Sequence, residues 1–238
     1  MQAFAIGKER GVAFYEGEFL VKTLEGKEEL TKAYQLRHKV FAETLRWVPP
    51  TEDAQEMDMY DLWAVTVGVF DRDESLLGMA RLLPSSGKFM LENEFGALLP
   101  PEYTIRKDPD TAEITRLAVN PEIHDAKRST QIMLGVLKGI YQWAVENDIR
   151  YYYLEVEHRF LRALRMLGFP CEPIGPVVQL PPAGVGAVAA LYDMVRFDED
   201  NMHKRPGFLD WISTIETATG EVVSGRTSSF SARLVAAG

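Results

Sequence analysis

The sequence predicts an α/β chain, α+β in detail, folded as a single domain around a mixed central sheet flanked by helices. Three observations carry this expectation. At 238 residues, 46% hydrophobic and 26% charged, the chain is long enough for one full core and short for two. Two stretches, residues 28–45 and 129–147, place apolar side chains at helical spacing. Runs rich in β-branched and aliphatic residues alternate with them, and two of these runs flank a short charged turn.

Residues 1–17 have no clear period and read as a loosely attached arm, while 18–24 (EFLVKTL) alternate as a first strand. The helix over 28–45 has Leu30, Ala33, Tyr34, Leu36, Val40, Phe41 and Leu45 on or near one face, and Arg37 shares a side with Phe41. Pro49 and Pro50 stop it. The polar, acidic segment 48–60 reads as a mobile surface loop. The runs 65–70 and 76–83, joined by DRDES, predict a hairpin.

Residues 85–110 are broken by Pro100, Pro101 and Pro109, yet they carry Phe89, Met90, Leu91, Phe95 and Leu98. That is too much apolar surface to leave in water, so this connection is expected to fold over the body of the protein. A strand over 112–119 (AEITRLAV) follows, with Glu113 and Arg116 three apart. Such residues point to opposite faces of an ideal strand, which implies a bulge or two separate roles.

The helix over 129–147 buries Ile132, Met133, Val136, Leu137, Ile140, Tyr141 and Ala144; the next strand is 150–156. A short helix, 158–167, ends at Gly168 as C-cap. Two further β-type segments, 171–178 and 187–196, are divided by Pro181-Pro182, and the chain after Pro206 gives only weak signals. The expected domain is therefore 18–205, between an arm (1–17) and a tail (206–238).

Composition removes several function classes. The formal net charge is −9, and general nucleic-acid binding needs a basic face. No apolar run approaches membrane-spanning length, and MQAFAIGKERG lacks a signal peptide's apolar core. The single cysteine, Cys171, excludes an internal disulfide and argues against a cysteine metal cluster. It reads as a small buried residue. The expectation is a cytoplasmic protein that uses no metal.

Within this frame a few charged residues stand out. Arg81 lies in an apolar strand, where a cation is costly to bury unless an anion pairs with it. Glu56, Asp58 and Asp61, just before the hairpin, and Glu113 are candidate partners, although each alone reads as a structural salt bridge. Arg159, Arg162 and Arg165 form a basic ridge on the short helix. Such a ridge is usually a solvated face, but in an acidic chain it is also the best dock for an acidic partner.

The blocks LRHKVFAETLRW, EMDMYD, ARLLPSSGKFMLENEF and EITRL resemble, in order and spacing, the signature blocks of acyl-homoserine-lactone (autoinducer) synthases. The likeness runs from about residue 19 to about residue 200. It implies a GNAT-like acyltransferase fold, and a reaction in which an acyl group on acyl carrier protein passes to the α-amine of S-adenosylmethionine. Lactone closure then releases methylthioadenosine. S-adenosylmethionine is a substrate here, and no cofactor is implied. The family's near-invariant positions fall on Arg37, Phe41, Trp47, Asp58, Asp61, Arg81, Phe95, Glu113 and Arg116, with Glu56 at a commonly acidic one.

On that resemblance Glu113 is the expected base for the amine. Asp58 and Asp61 would attract the cationic substrate while Arg37, Arg81 or Arg116 holds its carboxylate. Phe41 and Trp47 would cover the adenine or stack on the cation, although Phe41 alone reads as core. Met133, Leu137, Leu154 and Val156 are expected to line an acyl pocket between the sheet and the long helix. Arg159, Arg162 and Arg165, with Lys127, Arg128 and Arg150, are expected to dock the carrier protein.

NPEIHDAKRST replaces the Gly-rich phosphate loop of coenzyme A acyltransferases, which favours a carrier-protein thioester. Val156 stands where members handling 3-oxo chains often have Thr or Ser, so a plain acyl chain is expected. The alternatives are an N-acyl amino acid synthase with a free amino acid acceptor and, in another class, a non-catalytic acyl- or nucleotide-binding module.

Overall fold

The structure is a computed structural model that describes residues 9–217 and 222–224. Strands Ala13–Glu16 (β1) and Phe19–Thr23 (β2) lead to helix Gly26–Arg37 (α1), which runs on into a π-helical segment, His38–Thr44. After a 3-10 turn at Met59–Leu62 come Val65–Phe70 (β3) and Leu76–Pro84 (β4), then the short helix Met90–Asn93 (α2). Thr111–Val119 (β5), Ala126–Glu146 (α3), Tyr151–Glu157 (β6) and His158–Leu167 (α4) form the second half of the core. Glu172–Pro173 (β7), Val178–Leu180 (β8), Val185–Asp193 (β9), Met194–Lys204 (α5), Pro206–Ser213 (α6), Thr214–Glu216 (β10) and Val222–Ser224 (β11) complete the described chain.

The strands form one mixed sheet in the order β11-β10-β1-β2-β3-β4-β5-β6-β9-β7, with β8 also on β9. Among the described strands only β5 and β6 pair in parallel, as the α3 connection between them requires. On one face α3 packs Ile132, Val136, Ile140 and Trp143 against Val21, Val67, Val69 and Leu82. Gly139 brings the helix close: a Cβ there would stand 2.5 Å from Val67 Cγ1 and 2.9 Å from Val21 Cγ1. On the other face α1 and the π-helical segment bury Ala33, Leu36, Val40 and Phe41 against Phe70, Leu76 and Met79. The long 85–110 connection covers the rest of that face, burying Phe89, Met90, Leu91 and Leu98 with Tyr153, Ala187 and Ala189.

The expected hairpin and the two main helices are present, and the structure differs at both ends of the chain. The supposed arm contains β1, held by β2 and β10, because Phe14 is fully buried in the main core. The expected strand over 187–196 stops at Asp193, whose carboxylate accepts from Val195 N at 2.9 Å and caps α5. Part of the supposed tail is α6, β10 and β11, with Leu209 and Ile212 in the core; residues 218–221 and 225–238 of it lie outside the described residues. The wider π turn also rotates the apolar stripe, so Leu45 points outward, 36% exposed.

Candidate active site

The site begins at a bulge. Between Met79 and Arg81 the β4–β5 register shifts, and Arg116 on β5 takes a left-handed φ of 52°. The extra residue turns Arg116 to the side on which Arg81 Nε donates to Thr115 Oγ1 at 3.0 Å. Of the two readings left open by the spacing of Glu113 and Arg116, a bulge or two separate roles, the bulge is there, and a non-glycine residue in that conformation is a local strain of the kind that collects at functional sites.

Arg81 and Arg116 meet Arg37 and three acids. Arg37 Nε binds Glu56, and its Nη1 binds Asp61 Oδ1 at 2.6 Å. Arg81 donates to Asp58 Oδ2 and to Asp61 Oδ1, each at 2.9 Å, and Arg116 Nη2 to Glu56 Oε1 at 2.9 Å and Asp58 Oδ2 at 3.2 Å. Arg81 is fully buried and Glu56 nearly so. Burial alone would raise the Glu56 carboxyl, but the Arg116 and Arg37 guanidiniums more than offset it and pull it down to about 2. Asp61 is lowered in the same way, with Arg37 and Arg81 overcoming its burial.

The expected mobile loop is thus pinned at its acidic end, where Asp58 also caps the 3-10 turn through Tyr60 N at 2.9 Å. The charges proposed to grip a zwitterion are gathered as expected, but they grip one another.

Beside this cluster lies a cavity of about 280 Å³, lined by Phe41, Trp47, Met90, Phe95, Arg116, Glu94, Glu155, Val156 and Glu157, with Leu180, Val185 and Ala187 among its other walls. Phe41 and Trp47 are 5.9 Å apart between ring centroids, and the Arg116 guanidinium sits 5.4 Å over Phe41. The cavity opens where β5 and β6 part: their pairing ends at Ile114 with Leu154, while both strands continue. Of the three arginines, only Arg116 reaches it.

Glu113, the expected base, does not line the cavity. It is fully buried, and its two oxygens accept from Met90 N at 2.6 Å and Leu91 N at 2.8 Å, fixing the 85–110 connection. Its neighbour on β6 is Glu155, which sequence reading missed because a lone acid in RYYYLEVE looks like an ordinary outward strand position. Burial first, and then the Glu113 charge, push Glu155 well above the usual carboxylate range. Burial likewise raises Glu113, against its hydrogen bonds.

The other expected sets divide. Val156 lines the cavity, but Leu137 and Leu154 lie on the α3 side of the sheet around a void of about 20 Å³, room for about one water molecule. Met133 packs half-buried against the same core. The expected acyl pocket under the long helix is therefore closed, because α3 lies directly on the sheet. Arg159, Arg162 and Arg165 are all exposed along α4, and Lys127 is exposed at the start of α3. Arg128 is paired with Glu18 at 3.1 Å. Arg150, paired with Asp193 at 3.1 Å, stands at the opposite end of β6 from α4 and does not join the ridge. Among the described residues no group of acids, histidines or cysteine could hold a metal, and no helix is long and apolar enough to cross a membrane.

The autoinducer synthase family model matches residues 22–204. An acyl-homoserine-lactone synthase of Aliivibrio fischeri is 32% identical over 150 residues, which are 62% of this chain and 77% of that protein. Among solved structures, the AHL synthase LasI aligns with a TM-score of 0.65 at 22% identity, covering 74% of this chain and 89% of its own. The CoA-dependent acyl-homoserine lactone synthase BjaI, solved with SAM and isopentyl-CoA, aligns at 0.62 and 23%, covering 75% and 82%. The mixed sheet and its helices are the GNAT-like fold of these synthases.

Proposed function

The chain belongs to the autoinducer synthase family, and on that premise we propose that it makes an N-acyl-homoserine lactone from an acyl carrier protein thioester and S-adenosylmethionine, releasing methylthioadenosine. Synthesis of a quorum-sensing autoinducer is the family's activity. The observation that carries the substrate reading is the cavity between the ion-pair cluster and the parting of β5 and β6. At about 280 Å³ it lies near the lower end of small-molecule sites, roughly 300–1,000 Å³.

Phe41, Trp47 and Phe95 suit an adenine and a sulfonium. Arg116 is the one guanidinium of the cluster in the cavity wall; Glu56 takes its Nε and Nη2, which leaves Nη1, 3.7 Å from Met90 Sδ, as the donor for the substrate carboxylate. Where β5 and β6 stop pairing, backbone N–H groups are free of the sheet ladder and can meet the thioester oxygen as it gains charge. Attack is direct, since Cys171 is buried and its thiol is pushed up to about 12, chiefly by burial. Lactone closure then displaces a good leaving group and needs geometry above all.

The donor is the finer question. A coenzyme A pyrophosphate would want the free N–H groups at the start of α3, but Asp125 occupies one of them, its carboxylate accepting from Arg128 N at 2.7 Å. An acid already there disfavours an anionic ligand. The guanidiniums of Arg159, Arg162 and Arg165, exposed and without an ion pair among the described residues, suit an acidic carrier protein in the cytoplasm.

The test is incubation with S-adenosylmethionine and either acyl carrier protein or coenzyme A thioesters, read by mass spectrometry. Lactone and methylthioadenosine appearing together with the carrier thioester are expected. An acylated amino acid without methylthioadenosine would replace the acceptor, and faster turnover of the coenzyme A thioester would replace the donor.

A further inference from the structure

Acyl transfer to an amine moves one proton from the attacking nitrogen to the departing sulfur, and two carboxyl groups stand at the cavity, Glu155 in its wall and Glu113 behind it. We infer that Glu155 is the catalytic residue that takes the amine proton, with Glu113 as the positioning residue that holds it; this rests on the acyl-transfer reading above. The geometry divides the two roles. Glu155 lines the cavity, whereas Glu113 is walled off and spends its oxygens on the backbone N–H groups of Met90 and Leu91. They share a face of the sheet, since Glu113 is in register with Tyr153 and Glu155 lies two residues beyond.

The two carboxyls act on each other, and Oε1 of Glu155 is buried without a hydrogen bond from any donor among the described residues. Buried carboxyl oxygens are rarely left so. A proton held between the acids satisfies both, as in other pairs of crowded carboxyls. The remaining charged groups that face the pair are Arg116 from β5, Arg81 from β4, Glu94 after α2 and Glu157 on β6.

The step balances without any other reagent. Once the ammonium has given one proton to solvent, the amine's lone pair forms the C–N bond, and the nitrogen proton then released passes to Glu155 as the proton already on the pair shifts toward Glu113. The C–S electrons leave with sulfur, which takes a proton back from Glu155, restoring the singly protonated pair. One N–H is lost and one S–H is gained.

The test uses the full-length chain with carrier thioester and S-adenosylmethionine. Glu155→Gln keeps the shape and can donate a hydrogen bond to Glu113, and is expected to lose at least ~100-fold in kcat with KM for S-adenosylmethionine within about threefold of wild type. Glu155→Ala is expected to recover part of its rate in added formate, which a packing role would not. Glu155→Gln keeping more than about a tenth of kcat, a loss confined to KM, or no formate response in the alanine variant would each overturn the assignment. A wild type that makes neither lactone nor methylthioadenosine would remove the parent reading and this one together. An active wild type with an active Glu155→Gln removes this one alone.

Discussion

Glu56→Gln tests the ion-pair cluster most directly, because it removes a charge and leaves the shape. Glu56 is 5% exposed and bridges Arg37 and Arg116. Its carboxyl is drawn from 4.5 to about 2, and a shift of that size corresponds to about 3 kcal/mol of folding free energy. Removing one partner of a buried pair costs a similar amount, about 3–5 kcal/mol.

The sign follows from the direction of the shift. A carboxyl lowered in the folded state contributes fully above its unfolded value and loses that contribution as pH falls toward the folded one. The wild-type advantage over Glu56→Gln should therefore be about 3 kcal/mol at pH 5 and about 1.4 kcal/mol at pH 3. Urea unfolding followed by tryptophan fluorescence at the two pH values measures both numbers. A gap under about 0.5 kcal/mol at pH 7, or one that stays constant between pH 5 and pH 3, would refute the view that Glu56 works as an ion-paired carboxylate.

Arg81→Ala is expected to abolish product and also to destabilise the fold by about 3–5 kcal/mol, since a fully buried guanidinium leaves Asp58 and Asp61 facing each other; unfolding and activity measured together check this, and an unaffected midpoint would contradict it. Reversing Arg159, Arg162 and Arg165 to Glu should raise KM for the carrier thioester by about 100-fold and leave that for S-adenosylmethionine unchanged; equal effects on both would remove the docking role. Trp47→Ala should raise KM for S-adenosylmethionine about tenfold, the scale of one cation–π contact, and an unchanged KM would return Trp47 to simple packing against Phe41.

Much of this architecture is written in local pattern. The hairpin at β3 and β4 follows from two apolar runs about a charged turn, and Gly168 at φ 108° closes α4 where a helix stop was expected. The bulge at Arg116 is half legible, because the spacing of Glu113 and Arg116 allows either a bulge or two separate roles and only the register of β4 and β5 decides between them. Other features depend on partners remote in sequence. β1 is a strand because Phe14 finds the core and β10 finds its edge, and no period in a four-residue segment announces that. Glu155 was missed for a related reason: one acid in a strand takes its meaning from the strand beside it. The same blindness let Arg37, Arg81 and Arg116 be read as free hands for a substrate. Sequence counts charges, but only the fold says which cancel.

That cancellation bears on the choice of acceptor. Arg37, Arg81 and Arg116 are matched by Glu56, Asp58 and Asp61, so the cluster contributes little net charge to the cavity. What remains along the walls is acidic: Glu94, Glu157 and Glu155, the last of which, on the assignment above, shares one proton with Glu113 behind it and leaves the pair one negative charge. A negative, partly enclosed site favours a ligand of net positive charge. S-adenosylmethionine, with sulfonium, ammonium and carboxylate, carries +1, whereas a free amino acid carries none. The field of the cavity therefore separates the two acceptors even though both offer the same α-amine and carboxylate. Glu94→Gln with Glu157→Gln should weaken S-adenosylmethionine binding, and more so at low salt, where the field reaches farther. Equal weakening for a net-neutral amino acid such as methionine would mean that shape, and not charge, makes the selection.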